Sequence, residues 1–195
     1  SGVLTEDTIP NPIGPYGKSK LSAEKYIFSK KIPKNKRVYI LRPCMIHGPG
    51  NKGNLTLLYK FICKGFPWPL GAFDNLRSFC SIENLLFVIL ELIENNSILS
   101  GLYNLADDKP LSTNEVIELI SKSQNKKPLI LNVSKKLIKF LSKIGDKTNF
   151  QLNSIRLKKL TESYVVSNTK IIKQIRKPLP VSSEKGMLKT FNSFK

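Results

Sequence analysis

Cysteine and histidine are scarce in this sequence, and their scarcity excludes several kinds of site. Among 195 residues there are three cysteines and one histidine. Cys44, Cys63 and Cys80 are odd in number and widely spaced, which argues against a disulfide framework and against a zinc site. His47 has no second histidine with which to share a metal. We therefore predict no metal site, and a reducing compartment, the cytoplasm.

Long apolar runs are also missing. No run is long enough to cross a bilayer. Residues 1–7 carry neither the basic nor the apolar region of a signal peptide, and they read as mid-chain sequence without an initiator methionine. The hydrophobic content of 41% is that of a globular protein, and the length suffices for one domain with a real core. We expect no membrane insertion.

Acidic residues are few: 14 Asp and Glu oppose 32 Lys and Arg, which gives a net charge of +18. Such an excess is typical of nucleic-acid-binding proteins. Here, however, the basic residues are mostly Lys and are spread along the whole chain, as on solvated helix faces. We expect no nucleic-acid partner, although a polyanion-binding protein stays an alternative, and the same positive field would attract a diphosphate.

The elements predicted from periodicity, capping and turn residues alternate between strands and helices, which favours an α/β class with mostly parallel pairing. Ser112 and Glu115 form a capping box at the start of one helix. The other predicted helices span 17–31, 83–95, 134–145 and 182–194, and one more begins at residue 54; the predicted strands span 37–41, 66–71, 101–105 and 128–133. The helix at 134–145 is basic and amphipathic, and we favour its packing on the protein over a membrane surface.

One feature of a dinucleotide-binding sheet is absent. Such sheets open with a strand and a glycine-rich turn whose amides hold the pyrophosphate at a helix N-terminus. No G-x-G-x-x-G or G-x-x-G-x-x-G occurs among these 195 residues. Either the protein binds no dinucleotide, or the half that holds the pyrophosphate is absent from this sequence.

Tyr16 and Lys20 are spaced so that both side chains lie on one face of a helix. A phenol titrates near ~10 and is a poor base at neutral pH. A neighbouring ammonium stabilises the phenolate, so the tyrosine can exchange a proton with a sugar hydroxyl while hydride moves to or from nicotinamide. Tyr-x-x-x-Lys alone is weak evidence, because the spacing occurs often by chance on surface helices.

The surrounding residues make the pattern more specific. Pro15-Tyr16-Gly17-Lys18-Ser19-Lys20-Leu21-Ser22-Ala23-Glu24 closely resembles the catalytic helix of the extended short-chain dehydrogenases/reductases. Six further motifs follow in the family's order: Leu41-Arg42-Pro43 with His47-Gly48-Pro49-Gly50, Asn54-Leu55, Arg77-Ser78-Phe79, Glu83-Asn84-Leu85, Gly101-Leu102-Tyr103-Asn104-Leu105, and Glu184 to Thr190. The chain is identified as resembling the C-terminal portion of the NAD-dependent epimerase/dehydratase family, in its nucleotide-sugar 4-epimerase and 4-keto-reductase branch.

The resemblance implies roles for individual residues. Tyr16 and Lys20 would be catalytic and would also contact the nicotinamide ribose. The segment under the nicotinamide would be Pro43, Cys44 and Met45, and the substrate-binding residues would be Asn54, Leu55, Trp68 and Arg77. Other interpretations remain: Asn54 as a helix N-cap, Trp68 as a packing residue, and Arg77 as an ordinary surface arginine. Met45 stands where UDP-glucose 4-epimerases carry Asn, which weakens a plain UDP-galactose interpretation.

The resemblance also implies the architecture and the function. Residues 1–53 would form the C-terminal part of a Rossmann-type NAD(P)-binding domain. Residues 54–195 would form mainly a small α/β substrate-binding domain, with segments around 79–105 returning to the Rossmann part. The full-length protein would use NAD or NADP to act at the 4-position of a UDP-sugar for surface polysaccharide precursors, as a homodimer, whereas this fragment alone would be inactive. The alternative is a truncated, non-catalytic sugar-nucleotide-binding module.

Overall fold

The computed structural model describes residues 2–148 and 153–194. In chain order the elements are α1 (Pro15–Phe28), β1 (Tyr39–Pro43), β2 (Met45–His47), α2 (Asn54–Cys63), β3 (Phe79–Ser81), α3 (Ile82–Glu94), β4 (Gly101–Leu105), α4 (Thr113–Ser123), α5 (Lys135–Gly145), α6 (Ser154–Thr161), α7 (Thr169–Ile175) and α8 (Ser183–Asn192). No helix of the described segments is long and apolar enough to span a membrane.

Both strand pairs in the described residues are parallel. β1 pairs with β4 from Tyr39 opposite Gly101 to Pro43 opposite Leu105, and β2 pairs with β3. Helices α2 and α3 lie between the paired strands in sequence, as parallel crossovers require. The predicted α/β class with parallel pairing is confirmed.

The far edge of β1 is open. Among the strands described here, β1 pairs with β4 alone, so its other edge has no strand beside it. A groove of about 550 Å³ runs along this strand and is lined by residues that include Arg37, Leu41, Ile89 and Ile93.

Local sequence explains several helix starts. Ser112 accepts a hydrogen bond from the amide of Glu115, and the Glu115 carboxylate accepts one from the amide of Ser112, so the predicted capping box is confirmed. Ser81 caps α3 in a similar way by accepting from the amide of Asn84. These bonds satisfy amides that the first turn of a helix leaves without partners.

Within residues 2–148 and 153–194, three apolar clusters form the core. The first joins α2, α4 and α8 around Leu111 and Phe191. The second joins β1, β4, α3 and α7 around Tyr103. The third joins α5 and α6 to Trp68 and Ile117. The division of the chain into a Rossmann part and a substrate part stays a prediction.

A buried polar network ties strands β2 and β3 to the C-terminal helix α8. The His47 ring lies between Thr190 Oγ1 at 2.9 Å and Asp107 Oδ2 at 3.2 Å. The other Asp107 oxygen accepts from the amide of Ser81 at 2.9 Å and from Asn84 Nδ2 at 2.7 Å. His47 therefore has a structural position, joining β2 to β3, to the segment after β4, and to α8.

Several predicted elements differ from the structure. The strands predicted at 66–71 and 128–133 are wrong: these segments meet only in isolated bridges, Trp68 with Ile130 and Leu70 with Asn132. Prolines at 67 and 69 have no N–H to donate, which prevents a continuous ladder. Helix α1 begins and ends earlier than predicted, β1 begins and ends two residues later than predicted, and α6 and α7 were not predicted.

Candidate functional site

Tyr16 and Lys20 come together at the start of α1. Lys20 Nζ lies 5.4 Å from the centroid of the Tyr16 ring, and the Tyr16 side chain is 76% exposed. Pro15 occupies the first helical position, where its missing N–H leaves no bond unmade. The Lys20 ammonium therefore contacts the face of the Tyr16 ring, and the exposed Tyr16 side chain faces space that a substrate can enter.

Glu24 fixes this face of α1 to strand β1. Tyr16, Lys20 and Glu24 follow one another at four-residue spacing, so they share one side of the helix. The Glu24 carboxylate accepts from Arg42 Nε at 2.9 Å and also from Arg42 Nη2. Both side chains are mostly shielded from water. This two-bonded ion pair holds the helix in register with the strand that leads into Pro43.

The residues predicted beneath the nicotinamide follow at the carboxyl end of β1. Pro43 and Met45 are exposed, whereas Cys44 is half-buried, and its amide donates to the Leu105 carbonyl at 2.9 Å. Burial, with the nearby Asp107 charge, raises the pKa of the Cys44 thiol to about 12. At neutral pH Cys44 is therefore a neutral thiol, suited to apolar contact and not to nucleophilic attack.

Tyr164, which was not among the predicted site residues, lies near Cys44 and Arg42. Partial burial and the nearby Cys44 raise its pKa, while the Arg42 charge opposes the rise. Its amide donates to the Leu76 carbonyl, and its backbone bridges to Arg77. Tyr164 thus lies between the carboxyl end of β1 and the predicted diphosphate residue. Its own sequence does not reveal this position, because tertiary contacts bring the segment to β1.

Arg77 has bonds of its own. Its Nε donates to the Glu162 carbonyl at 3.2 Å, and its Nη2 donates to the Lys159 carbonyl, both at the C-terminal end of α6. A guanidinium there meets the negative end of the helix dipole. Burial lowers its pKa, and Glu162 opposes that change. Nη1 takes part in neither of these two bonds.

Of the remaining predicted substrate residues, Asn54 and Leu55 lie on α2, and Trp68 follows this helix in the chain. Asn54 is exposed at the first position of α2; the N-cap is Gly53, so the N-cap interpretation of Asn54 is wrong. Leu55 and Trp68 are buried in the core, which confirms the packing interpretation of Trp68. Any contact they make with a substrate would come from their backbone atoms. The Trp68 indole N–H is buried without a hydrogen-bond partner in the described residues.

The sequence of this chain is similar to those of two proteins named as 4-epimerases. No protein-family model matches the chain. Over 107 residues, covering 54% of this chain and 33% of the relative, it is 34% identical to UDP-glucose 4-epimerase of Vibrio cholerae. Over 170 residues, 83% of this chain and 51% of the relative, it is 29% identical to N-acetyl-α-D-glucosaminyl-diphospho-ditrans,octacis-undecaprenol 4-epimerase of Escherichia coli O157:H7. The chain thus spans at most about half the length of these two relatives.

Solved structures agree on the fold. The UDP-glucuronic acid 4-epimerase of Bacillus cereus in complex with NAD superposes with a TM-score of 0.69 at 19% identity, over all of this chain and 56% of that one. The Bordetella bronchiseptica enzyme WbmG in complex with NAD gives 0.69 at 16% identity, over 98% of this chain and 53% of that one. At these identities the likeness shows a shared α/β fold, part of a Rossmann-type epimerase chain.

The class of protein is therefore an α/β chain built like part of a Rossmann-type epimerase. Taken with the sequence relatives, this bears out the resemblance on which the motifs converged: over part of their length, the chain is similar to proteins named as sugar 4-epimerases.

Proposed function

We propose that the whole protein is an NAD(P)-dependent nucleotide-sugar epimerase or 4-keto-reductase that acts at the sugar 4-position. The observation that carries this proposal is the Tyr16–Lys20 pair, with Lys20 Nζ 5.4 Å from the Tyr16 ring, on a helix tied by Glu24 to β1. The relatives named 4-epimerases support the same reaction class.

The chain's own residues handle the proton. With Lys20 beside it, Tyr16 Oη would take a proton from the sugar 4-hydroxyl or return one to a 4-keto oxygen. The Arg42–Glu24 ion pair holds the helix that carries the Tyr16 hydroxyl at a fixed distance from the carboxyl end of β1. Fixed placement matters, because proton transfer needs the donor and acceptor within hydrogen-bond reach.

The residues present fit the nicotinamide end of a dinucleotide. Pro43 and Met45 offer an exposed, largely apolar surface beside Cys44, and Lys20 offers a donor for a ribose hydroxyl. Two solved structures that share this fold, from Bacillus cereus and Bordetella bronchiseptica, are complexes with NAD. When bound, NAD(P) supplies or accepts the hydride. The glycine-rich turn that would hold the pyrophosphate is not among these residues.

The substrate is proposed to be a UDP-sugar used for surface polysaccharide precursors. Arg77, with Nη1 outside its two carbonyl bonds, and exposed Asn54 would meet the diphosphate. A second candidate is a sugar diphosphate carried by a polyprenol. It is favoured by the relative matched over 83% of this chain, whose name states an undecaprenol-linked substrate. Both candidates present the same sugar and diphosphate to the site.

A cytoplasmic homodimer completes the proposal. No residue of α1 is buried, and Ile27 and Phe28 are exposed on it, which supports a contact between α1 helices of two copies. The non-catalytic binding module and the polyanion-binding protein remain the competing functions.

The test uses protein from the complete reading frame. It is mixed with NAD(P)H and a UDP-4-keto-6-deoxy sugar, and the absorbance of the reduced nicotinamide is followed. Stoichiometric oxidation would identify a reductase. Interconversion of UDP-GlcNAc and UDP-GalNAc with catalytic NAD would identify an epimerase. Tyr16→Phe should abolish either activity, whereas Tyr26→Phe, an exposed tyrosine on the same helix, should leave it unchanged. Absence of both reactions and of dinucleotide binding would refute the proposal that the protein is an enzyme of this class.

A further inference from the structure

Helix α5 exposes an apolar stripe along its whole length. Leu137, Phe140, Leu141 and Ile144 are between 41% and 61% exposed. Their spacing of three and four residues places them on one face of the helix. Soluble proteins rarely leave so continuous an apolar surface in water without a use for it.

The stripe is separate from the face that α5 packs on the protein. Ile138, Ser142 and Gly145 are the buried residues of this helix, and Ile138 joins the cluster around Trp68. At 3.6 residues per turn, the stripe lies next to that buried face on the helix surface. The expectation that α5 only packs on the protein is therefore incomplete: a narrow face packs, and a wider apolar face stays open.

Lysines occupy the third face. Lys136, Lys139 and Lys143 are exposed, and within the described part of the chain no salt bridge includes them. Lys135 is held by Asp74 at 3.4 Å. The acid that follows the helix, Asp146, is bonded to Ser154, which lowers its pKa and keeps it anionic. The helix thus carries a row of free ammonium groups beside the apolar stripe.

We propose that α5 docks the protein on an anionic membrane surface. The stripe would lie at the boundary between headgroups and acyl chains, and the lysines would contact acidic headgroups. Such a helix lies in the plane of the interface and does not span the bilayer. The proposal rests on the geometry of α5 and holds whether or not the protein is an epimerase.

Charge and shape select this partner over two others. A second copy of α5 seated on the stripe would bring the lysine rows of two helices together, because Lys136, Lys139 and Lys143 flank the stripe. A nucleic acid would satisfy the lysines but offers its phosphates, not an apolar layer, to Phe140 and Ile144. An anionic bilayer meets both faces at once.

The test is vesicle co-sedimentation with protein from the complete reading frame. Vesicles of phosphatidylglycerol and phosphatidylethanolamine are compared with vesicles of phosphatidylcholine at low salt. We expect binding to the anionic vesicles only. The double variant Phe140→Ser with Ile144→Ser should bind at least about tenfold more weakly, because two large apolar side chains leave the interface.

A matched control separates docking from general apolar exposure. Leu57 and Phe61 on α2 have the same four-residue spacing and are 66% and 39% exposed. Leu57→Ser with Phe61→Ser should keep vesicle binding. Lys136→Glu with Lys143→Glu should lose binding, whereas Lys31→Glu with Lys34→Glu should keep most of it. Circular dichroism and melting temperature confirm that each variant folds.

Four outcomes would overturn the proposal. One is absence of sedimentation of the unmodified protein with anionic vesicles. The second is equal loss of binding in the α2 control. The third is binding that depends on the lysines but not on Phe140 and Ile144, which would indicate charge attraction without an interfacial helix. The last is a change of oligomeric state in the α5 variant by light scattering with no change in vesicle binding, which would make the stripe an interface between copies.

Discussion

Replacing Asp107 with alanine should strongly destabilise the fold. The Asp107 side chain is fully buried and accepts from the Ser81 amide at 2.9 Å, from Asn84 Nδ2 at 2.7 Å and from His47 Nε2 at 3.2 Å. Alanine would leave all of these groups buried and without their acceptor. Each orphaned buried group costs about 1–3 kcal/mol, but these costs do not add fully within one network.

The expected loss in the free energy of unfolding is about 3–5 kcal/mol. For a chain of this size, about 2–4 °C of melting temperature accompanies each kcal/mol, so the shift should be roughly 6–20 °C. Asp107→Asn keeps the shape of the side chain and an acceptor for Ser81 and Asn84, so its free energy of unfolding should fall clearly less than that of Asp107→Ala. The measurement is thermal unfolding at pH 7, followed by circular dichroism.

Asp74→Ala is the matched control. Asp74 is almost fully exposed and has a single long contact, 3.4 Å to Lys135 Nζ. Such a surface pair contributes at most about 1 kcal/mol, so the control should melt within a few degrees of the unmodified protein. Equal melting temperatures for Asp107→Ala and Asp74→Ala would refute the reasoning that the buried network stabilises the fold.

Two further predictions concern the site. Glu24→Gln should reduce kcat about tenfold with little change in KM and shift the pH profile of kcat, because the face of Tyr16 loses its anchor on Arg42; Glu94→Gln, an exposed glutamate of α3, should leave both unchanged. The thiols of Cys44 and Cys80 should resist iodoacetamide at pH 8 in the folded state and react in urea, since burial raises both pKa values from 9.0 to about 12. Because unfolding restores their ordinary acidity, the folded state should lose stability as pH rises above 9.0, and equal alkylation in the folded and unfolded states would contradict this.

Where local patterns determine structure, the sequence was sufficient. Strand β4 has the predicted bounds, and the capping box at Ser112 and the start of α2 at Asn54 were predicted correctly. A cap or an apolar period depends on residues a few positions apart, so it can be found without knowing the fold.

Where distant segments determine structure, the sequence was not sufficient. Tyr164 lies near Cys44 and Arg42 because its segment runs parallel to the segment of Arg77, with which it forms a backbone bridge. Arg77 donates to carbonyls at the C-terminal end of α6. This helix was not predicted, because its sequence is short and polar. The exposure of Phe140 is a property of what packs around α5, which periodicity alone does not give.

The open edge of β1 affects how this chain behaves when it is handled on its own. A strand edge without a neighbouring strand presents amides and carbonyls that can pair with an extended peptide. Apolar side chains in the groove beside it, among them Leu41 and Ile93, would stabilise such pairing. Aggregation of the isolated 195 residues should therefore begin at this edge and rise with protein concentration. A lysine introduced at Ile40 of this strand would act as a gatekeeper and improve solubility.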